Sequence, residues 1–192
     1  MVRVAICFLI MAFAGPAFAQ DAKNRVALVI GNAAYKRVVL ANPVNDAKLM
    51  AERLKAQGFE VFPSYDGSQR EMKRAVQRFA ASLRERGRDA VAFIFYAGHG
   101  VQVKGENYLI PVDEHIEAEG DVDIDAVSLS SIMSMLENTQ TRLSIVVLDA
   151  CRDNPFGYAR GGLRGLARVD APLLSPFRRM GEQCFPAATT GR

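Results

Sequence analysis

The chain has 192 residues, of which 49% are hydrophobic and 23% are charged. These are ordinary values for a globular protein, and the length is sufficient for one domain with a sizeable core. The formal net charge of +3 is too small to indicate a nucleic-acid partner or an anionic membrane surface.

The first 19 residues have the pattern of a secretory signal peptide. Arg3 supplies a positive charge, residues 4–14 are apolar, and the sequence Ala17-Phe18-Ala19 is typical of a cleavage site. The apolar run is too short to span a bilayer comfortably. We therefore expect export to the periplasm or secretion, a mature chain that begins at Gln20, and no membrane association after cleavage.

Short apolar runs and amphipathic stretches alternate along the mature chain. The predicted strands are residues 25–30, 59–62, 90–96 and 143–148, and a hairpin is predicted over residues 101–110. The predicted helices begin near Pro43, at a capping box that starts with Ser68, and at Leu129, and an exposed acidic loop is predicted over residues 114–125. The order β-α-β-α-β, hairpin, α-β predicts an α/β fold with a doubly wound, layered sheet.

Two of the predicted strands end at groups that can carry out catalysis. Residues 90–96 run into Ala97-Gly98-His99-Gly100, and residues 143–148 run into Asp149-Ala150-Cys151-Arg152. Because functional groups collect at the carboxyl ends of parallel strands, His99 and Cys151 are expected to lie side by side as a base and a thiol nucleophile. Two alternatives for Cys151 are an inert buried thiol and a disulfide with Cys184.

The two motifs resemble those of the caspase-like cysteine peptidases, in which the histidine precedes the cysteine by about 50 residues. The pair AGHG and DACRD is closer to metacaspases and their bacterial relatives than to animal caspases. Three further segments share the resemblance, namely RVALVIGNAAY, NPVNDAKLMAERLKAQGFEV and GENYLIPVD. The resemblance covers residues 25–171 and implies a three-layer αβα sandwich with a mostly parallel central sheet. It also implies proteolysis by a dyad of Cys151 and His99.

The resemblance implies further roles around this dyad. The backbone N–H groups of Gly100 and Cys151 are expected to bind the oxyanion, and Asp149, Asp46 and Ala97 are expected to contact the substrate. A carboxylate at Asp149 would attract Arg or Lys at the cleaved residue. The alternatives are a solvated acid at a strand end for Asp149 and a first-turn helix acid for Asp46. We predict neither a metal nor another cofactor.

The last 21 residues depart from the family pattern. Residues 172–192 contain no strand-like run, although the family domain continues with further strands past the nucleophile. We expect the C-terminal strands to be missing through a frameshift or truncation, with weak activity and self-association through an exposed strand as consequences. The alternative is a genuine divergent tail.

Three functions can be considered for this sequence. The first is a cysteine endopeptidase that acts on polypeptides. The second is a catalytically impaired caspase-like module that binds partners, or a decayed peptidase. A flavodoxin-like nucleotide binder is disfavoured, because Gly31 is the only glycine in the turn after the first strand.

Overall fold

The central element of the computed structural model, which describes residues 23–150, is a four-stranded parallel sheet. Its strands are β1 (Arg25–Gly31), β2 (Glu60–Tyr65), β3 (Val91–Ala97) and β7 (Leu143–Asp149), in the spatial order β2-β1-β3-β7. The register places Gly31 opposite both Tyr65 and Ala97, and Ala97 opposite Asp149. The carboxyl ends of all four strands therefore lie in one row.

Helices cover both faces of this sheet. The helices are α1 (Pro43–Ala56), α2 (Gln69–Arg86), the single turn α3 (Val122–Asp125) and α4 (Leu129–Thr139). Helix α1 packs on one face, where Ala47 and Ala51 are buried against Val29 and Phe95. Helices α2 and α4 pack on the other face. This arrangement confirms the predicted three-layer α/β sandwich.

The face beneath α2 and α4 carries the larger core. Alternate residues of β1 and β3 point toward it, as the period of two in a strand requires. They pack against the apolar stripe of α2, in which Met72, Phe79 and Leu83 are fully buried. Burial of each such side chain contributes about 1.5–3 kcal/mol.

The predicted capping box at the start of α2 is confirmed. The Ser68 hydroxyl accepts a hydrogen bond from the backbone N–H of Glu71, and the Glu71 carboxylate accepts one from the backbone N–H of Ser68. Two helix-end N–H groups are thereby satisfied.

A second, smaller sheet follows the central one. It consists of β4 (Gly100–Val103), β5 (Glu106–Leu109) and β6 (Val127–Ser128) in antiparallel order. The predicted hairpin is confirmed by β4 and β5. A separate apolar cluster, which includes Tyr35 and Ile116, supports this sheet.

Two predictions from the sequence need correction. Strand β2 continues to Tyr65, beyond the predicted end at residue 62. The acidic stretch 114–125 is not simply an exposed loop, because it contains a 3₁₀ turn (Glu119–Asp121) and α3. Its residues Glu114, Ile116 and Val122 are buried, so the segment packs against the small sheet.

Several predictions concern residues outside the described range. They are the signal peptide at residues 1–19, the nucleophile Cys151, its alternative disulfide with Cys184, and the divergent tail at residues 172–192. Among residues 23–150, no helix is long and apolar enough to cross a membrane.

Candidate active site

The strand ends that carry His99 and lead to Cys151 are joined directly. Ala97 and Asp149 are register partners in β3 and β7, and the backbone N–H of Gly98 donates a 3.2 Å hydrogen bond to the carbonyl oxygen of Asp149. The two backbone segments that lead to His99 and to Cys151 therefore start from neighbouring strand ends. Cys151 itself is outside the described residues.

The imidazole of His99 is held in one tautomer. The side chain is buried, and its Nε2 lies 2.8 Å from the carbonyl oxygen of Val38. A carbonyl oxygen only accepts hydrogen bonds, so Nε2 must carry the proton. Nδ1 then holds a free lone pair, and it is buried without a hydrogen-bond partner among residues 23–150. The basic nitrogen of His99 is thus Nδ1.

The loop that presents the Val38 carbonyl is fixed at its base. The Asp66 carboxylate accepts hydrogen bonds from the N–H groups of Ala33 and Ala34, at 2.7 and 2.9 Å. The N–H of Leu40 donates to the carbonyl oxygen of Ala33 at 3.0 Å, which closes the loop on itself. These hydrogen bonds hold the loop in place, and with it the Val38 carbonyl that accepts the Nε2–H of His99.

The pKa of His99 lies below its ordinary value of 6.5. Burial is the main cause, because it disfavours the charged imidazolium. The Val38 carbonyl and the charge of Glu114 act in the opposite direction and raise the pKa of His99. Burial prevails, so the imidazole is neutral and able to accept a proton at neutral pH.

Two of the predicted substrate acids lie near each other at the sheet edge. Asp149 ends β7, and Asp46 is exposed in the first turn of α1. Partial burial raises the pKa of Asp149, and the neighbouring charge of Asp46 raises it further. The charge of Asp46 thus acts on Asp149, and a cation bound near either carboxylate would reduce this repulsion.

Ala97 and Gly100, the other predicted site residues in the described range, flank the His99 motif. Ala97 is 1% exposed and packs in the core with Ala47 of α1, so its methyl group lies beneath the sheet edge rather than on the surface. Gly100 follows His99 directly and begins β4, where its backbone is buried. Within residues 23–150, no cluster of three or more His, Cys, Asp or Glu side chains could hold a metal ion.

Four residues that contact or influence His99 were not identified from the sequence. They are Val38, Tyr35, Tyr96 and Glu114. Tyr35 belongs to the RVALVIGNAAY segment, and Tyr96 ends the predicted strand that immediately precedes AGHG. The carbonyl of Val38 has no side-chain signature that could have identified it.

Comparison with known proteins shows relatives in animals. The chain is 29% identical over 132 residues to the human mucosa-associated lymphoid tissue lymphoma translocation protein 1. The Mus musculus homolog matches at the same identity over the same length. The match covers 68% of this chain but 15% of each relative, so the chain spans a small part of their length.

Two solved structures resemble this chain to different degrees, and the first supports a shared fold. Protein GSU0716 from Geobacter sulfurreducens superposes with a TM-score of 0.51 at 17% identity, over 65% of this chain and 50% of that one. The Drosophila initiator caspase Dronc superposes with a TM-score of 0.44 at 12% identity, over 64% of this chain and 46% of that one. The sequence profile of the caspase domain, peptidase family C14, matches residues 24–179, which is well over half of the chain. The chain therefore belongs to the caspase domain family of peptidases.

Proposed function

We propose that this protein is a cysteine endopeptidase whose dyad is His99 and Cys151. The observation that carries the proposal is the state of His99. Its imidazole is neutral, its Nε2–H is bound to Val38, and its Nδ1 has no partner among residues 23–150. Gly98, the residue before His99, is hydrogen-bonded through its backbone N–H to Asp149, from which Cys151 follows two residues later.

This geometry suggests how protons move in the proposed reaction. Nδ1 of His99 removes the thiol proton of Cys151, and the thiolate sulfur attacks the carbonyl carbon of the scissile peptide bond. The imidazolium then gives this proton to the leaving amine as the C–N bond breaks, which leaves a thioester. A water molecule, deprotonated by Nδ1, hydrolyses the thioester and regenerates the thiol. During each step the Val38 carbonyl accepts the Nε2–H bond and keeps the ring oriented.

The negative charge on the attacked oxygen needs fixed N–H donors. The backbone N–H groups of Gly100 and Cys151 are the proposed donors, since each belongs to the backbone that follows one of the two strand ends. Loss of one such donor typically reduces kcat by about 10²–10³-fold.

Preference for Arg or Lys at the cleaved residue is the second part of the proposal. Asp149 and Asp46 form a negatively charged region at the sheet edge, and an Arg or Lys side chain would neutralise it. The carboxylate of Asp149 has a raised pKa, so it loses its charge at a higher pH than an ordinary aspartate does. The KM for basic peptides should therefore increase as the pH falls into this range.

The test uses the mature chain from Gln20 and fluorogenic peptides that end in Arg, Lys or Asp. Cys151→Ala and His99→Gln should each reduce hydrolysis of the Arg peptide by about 10³-fold or more. Asp149→Asn should raise KM for the Arg peptide by about 10–100-fold, which corresponds to the loss of one charge-assisted hydrogen bond. His115→Gln is the matched control, because His115 is exposed and outside the site, and it should leave both constants unchanged.

Two outcomes would contradict the proposal. Equal hydrolysis by Cys151→Ala would exclude the dyad, and preferred cleavage of the Asp peptide would exclude the assigned specificity. If the protein hydrolyses none of the peptides and Cys151 alkylates no faster than Cys184, the chain is instead a non-catalytic caspase-like module.

A further inference from the structure

We infer that Tyr35 and Tyr96 form a clamp that holds His99 in one orientation, with Nε2 on the Val38 carbonyl and Nδ1 without a partner among residues 23–150. The inference rests on the proposed function for its catalytic meaning, and on geometry for the clamp itself. Neither tyrosine has to contact the substrate for this role, so we regard both as positioning residues.

The two hydroxyls hold His99 by both of its backbone groups. The backbone N–H of His99 donates a 2.9 Å hydrogen bond to the Tyr35 hydroxyl. The Tyr96 hydroxyl donates a 2.5 Å hydrogen bond to the carbonyl oxygen of His99. The residue is therefore fixed on either side of its Cα by side chains from two different parts of the chain.

The ring of Tyr35 also restricts the imidazole. The centroids of the two rings are 4.4 Å apart and their planes are tilted by 49°. The Val38 carbonyl holds Nε2 at the same time. With the backbone clamped, rotation of the imidazole would break two contacts, the ring packing on Tyr35 and the hydrogen bond to Val38.

Each hydroxyl has one proton, and both protons are already committed. Tyr35 donates to the carbonyl oxygen of Ile110 at 3.1 Å, while Tyr96 donates to His99 and accepts from the Ile110 N–H at 3.2 Å. The two oxygens lie 3.4 Å apart. Burial raises the pKa of Tyr35 to about 12 and that of Tyr96 well above its ordinary value, so both remain protonated donors.

Space for this hydroxyl pair exists because residue 98 is glycine. A Cβ at Gly98 would lie 2.5 Å from the Tyr35 hydroxyl oxygen and 2.8 Å from that of Tyr96. Any side chain there would displace one or both hydroxyls from His99. The glycine before the histidine is thus explained by the clamp.

The test removes the hydroxyls and keeps the rings, in Tyr35→Phe and Tyr96→Phe. Each variant should reduce kcat about 10- to 100-fold with KM changed less than about twofold, because a shift of about 1 Å in a catalytic group can have this effect. Tyr108→Phe is the matched control. Tyr108 belongs to the same apolar cluster as Tyr35, but its hydroxyl donates to the Asp123 carboxylate instead of contacting His99. Removal of this hydroxyl should leave kcat unchanged.

A second readout does not depend on hydrolysis. In the Cys151→Ala background, ¹⁵N chemical shifts of the His99 imidazole should show the Nε2–H tautomer, and Tyr35→Phe should show a mixture of tautomers. If the protein hydrolyses none of the peptides, the proposed function is wrong. The NMR spectra would still test whether the tyrosines hold His99 in place. Unchanged kcat and an unchanged tautomer in a folded Tyr35→Phe variant would overturn it, as would an equal effect of Tyr108→Phe. If Tyr96→Phe fails to fold, Tyr35→Phe decides.

Discussion

At His99, three influences act on one imidazole with different signs. Burial favours the neutral ring, while the Val38 carbonyl and the buried carboxylate of Glu114 favour the charged ring. The net effect is a lowered pKa, because the two favourable contacts do not compensate for the water that the ring has lost. A base with these properties becomes protonated at a lower pH than an ordinary histidine does.

The first prediction concerns the titration of this ring. In Cys151→Ala, which removes the coupled thiol, the NMR-measured pKa of His99 should lie below 6.5. The chain has two histidines, so His115→Gln assigns the signals. The lowered pKa of His99 also makes the free energy of unfolding depend on pH. The contribution of the neutral ring is complete above the unfolded pKa, and it decreases as the pH falls through the folded pKa. A pKa at or above 6.5 would contradict the burial argument.

The sequence was informative about His99 and Asp149 because strand ends are visible as apolar runs that stop at polar residues. It was not informative about the partners of His99. Val38 contributes a backbone carbonyl, which every residue possesses, and Tyr35 is distant in sequence from the ring on which it packs. Such contacts depend on how the loop after β1 folds over the sheet edge.

Among the secondary-structure elements, α1 and β1 approach each other closely at Gly31. A Cβ at Gly31 would lie 2.5 Å from the Cβ of Ala47 and 2.6 Å from the carbonyl oxygen of Pro43. The contact fixes the first turn of α1, which carries Asp46, against the carboxyl edge of the sheet. The position of this acid relative to Asp149 therefore depends on a residue without a side chain.

The element-scale prediction uses this contact. Gly31→Ala should destabilise the protein by about 1–3 kcal/mol through overpacking and should raise KM for Arg peptides, because α1 must move outward. Gly120→Ala is the matched control, since a Cβ there would meet no atom within 4 Å. Thermal unfolding and peptide kinetics measure both effects. Equal behaviour of the two variants would show that the close approach at Gly31 does not position α1 and its Asp46.

The errors in the predicted elements have physical causes. The predicted strand stopped at residue 62, whereas β2 includes Pro63 and ends at Tyr65. Among residues 23–150, β2 is an outer strand of the sheet, a position that tolerates a proline. The acidic stretch was assigned to solvent from its charge. Two of its apolar residues, Ile116 and Val122, are nevertheless fully buried and decide its position, whereas Ile124 is exposed. Local composition could not show the apolar surface that receives them.

On the scale of the whole molecule, His99 lies at a junction between two units. Its chain arrives from β3 in the central sheet and continues into β4 of the hairpin, and its carbonyl oxygen accepts a 3.0 Å hydrogen bond from Ile110 after β5. In the described residues, β1 and β3 are paired on both sides and covered by helices on both faces. The small sheet has strands of two to four residues and its own apolar cluster.

This difference predicts unequal resistance to local unfolding. Amides of β1 and β3 should exchange with solvent only through global unfolding, whereas those of β4 and β5 should exchange at least about 10-fold faster through local opening. Native-state hydrogen exchange on the mature Cys151→Ala protein measures both sets. Tyr108→Phe should accelerate exchange of the hairpin without changing that of β1, because its hydroxyl bonds Asp123 of α3 within the cluster that supports the small sheet. Equal protection of the two sheets would instead show one cooperative unit, in which the hairpin cannot move relative to His99.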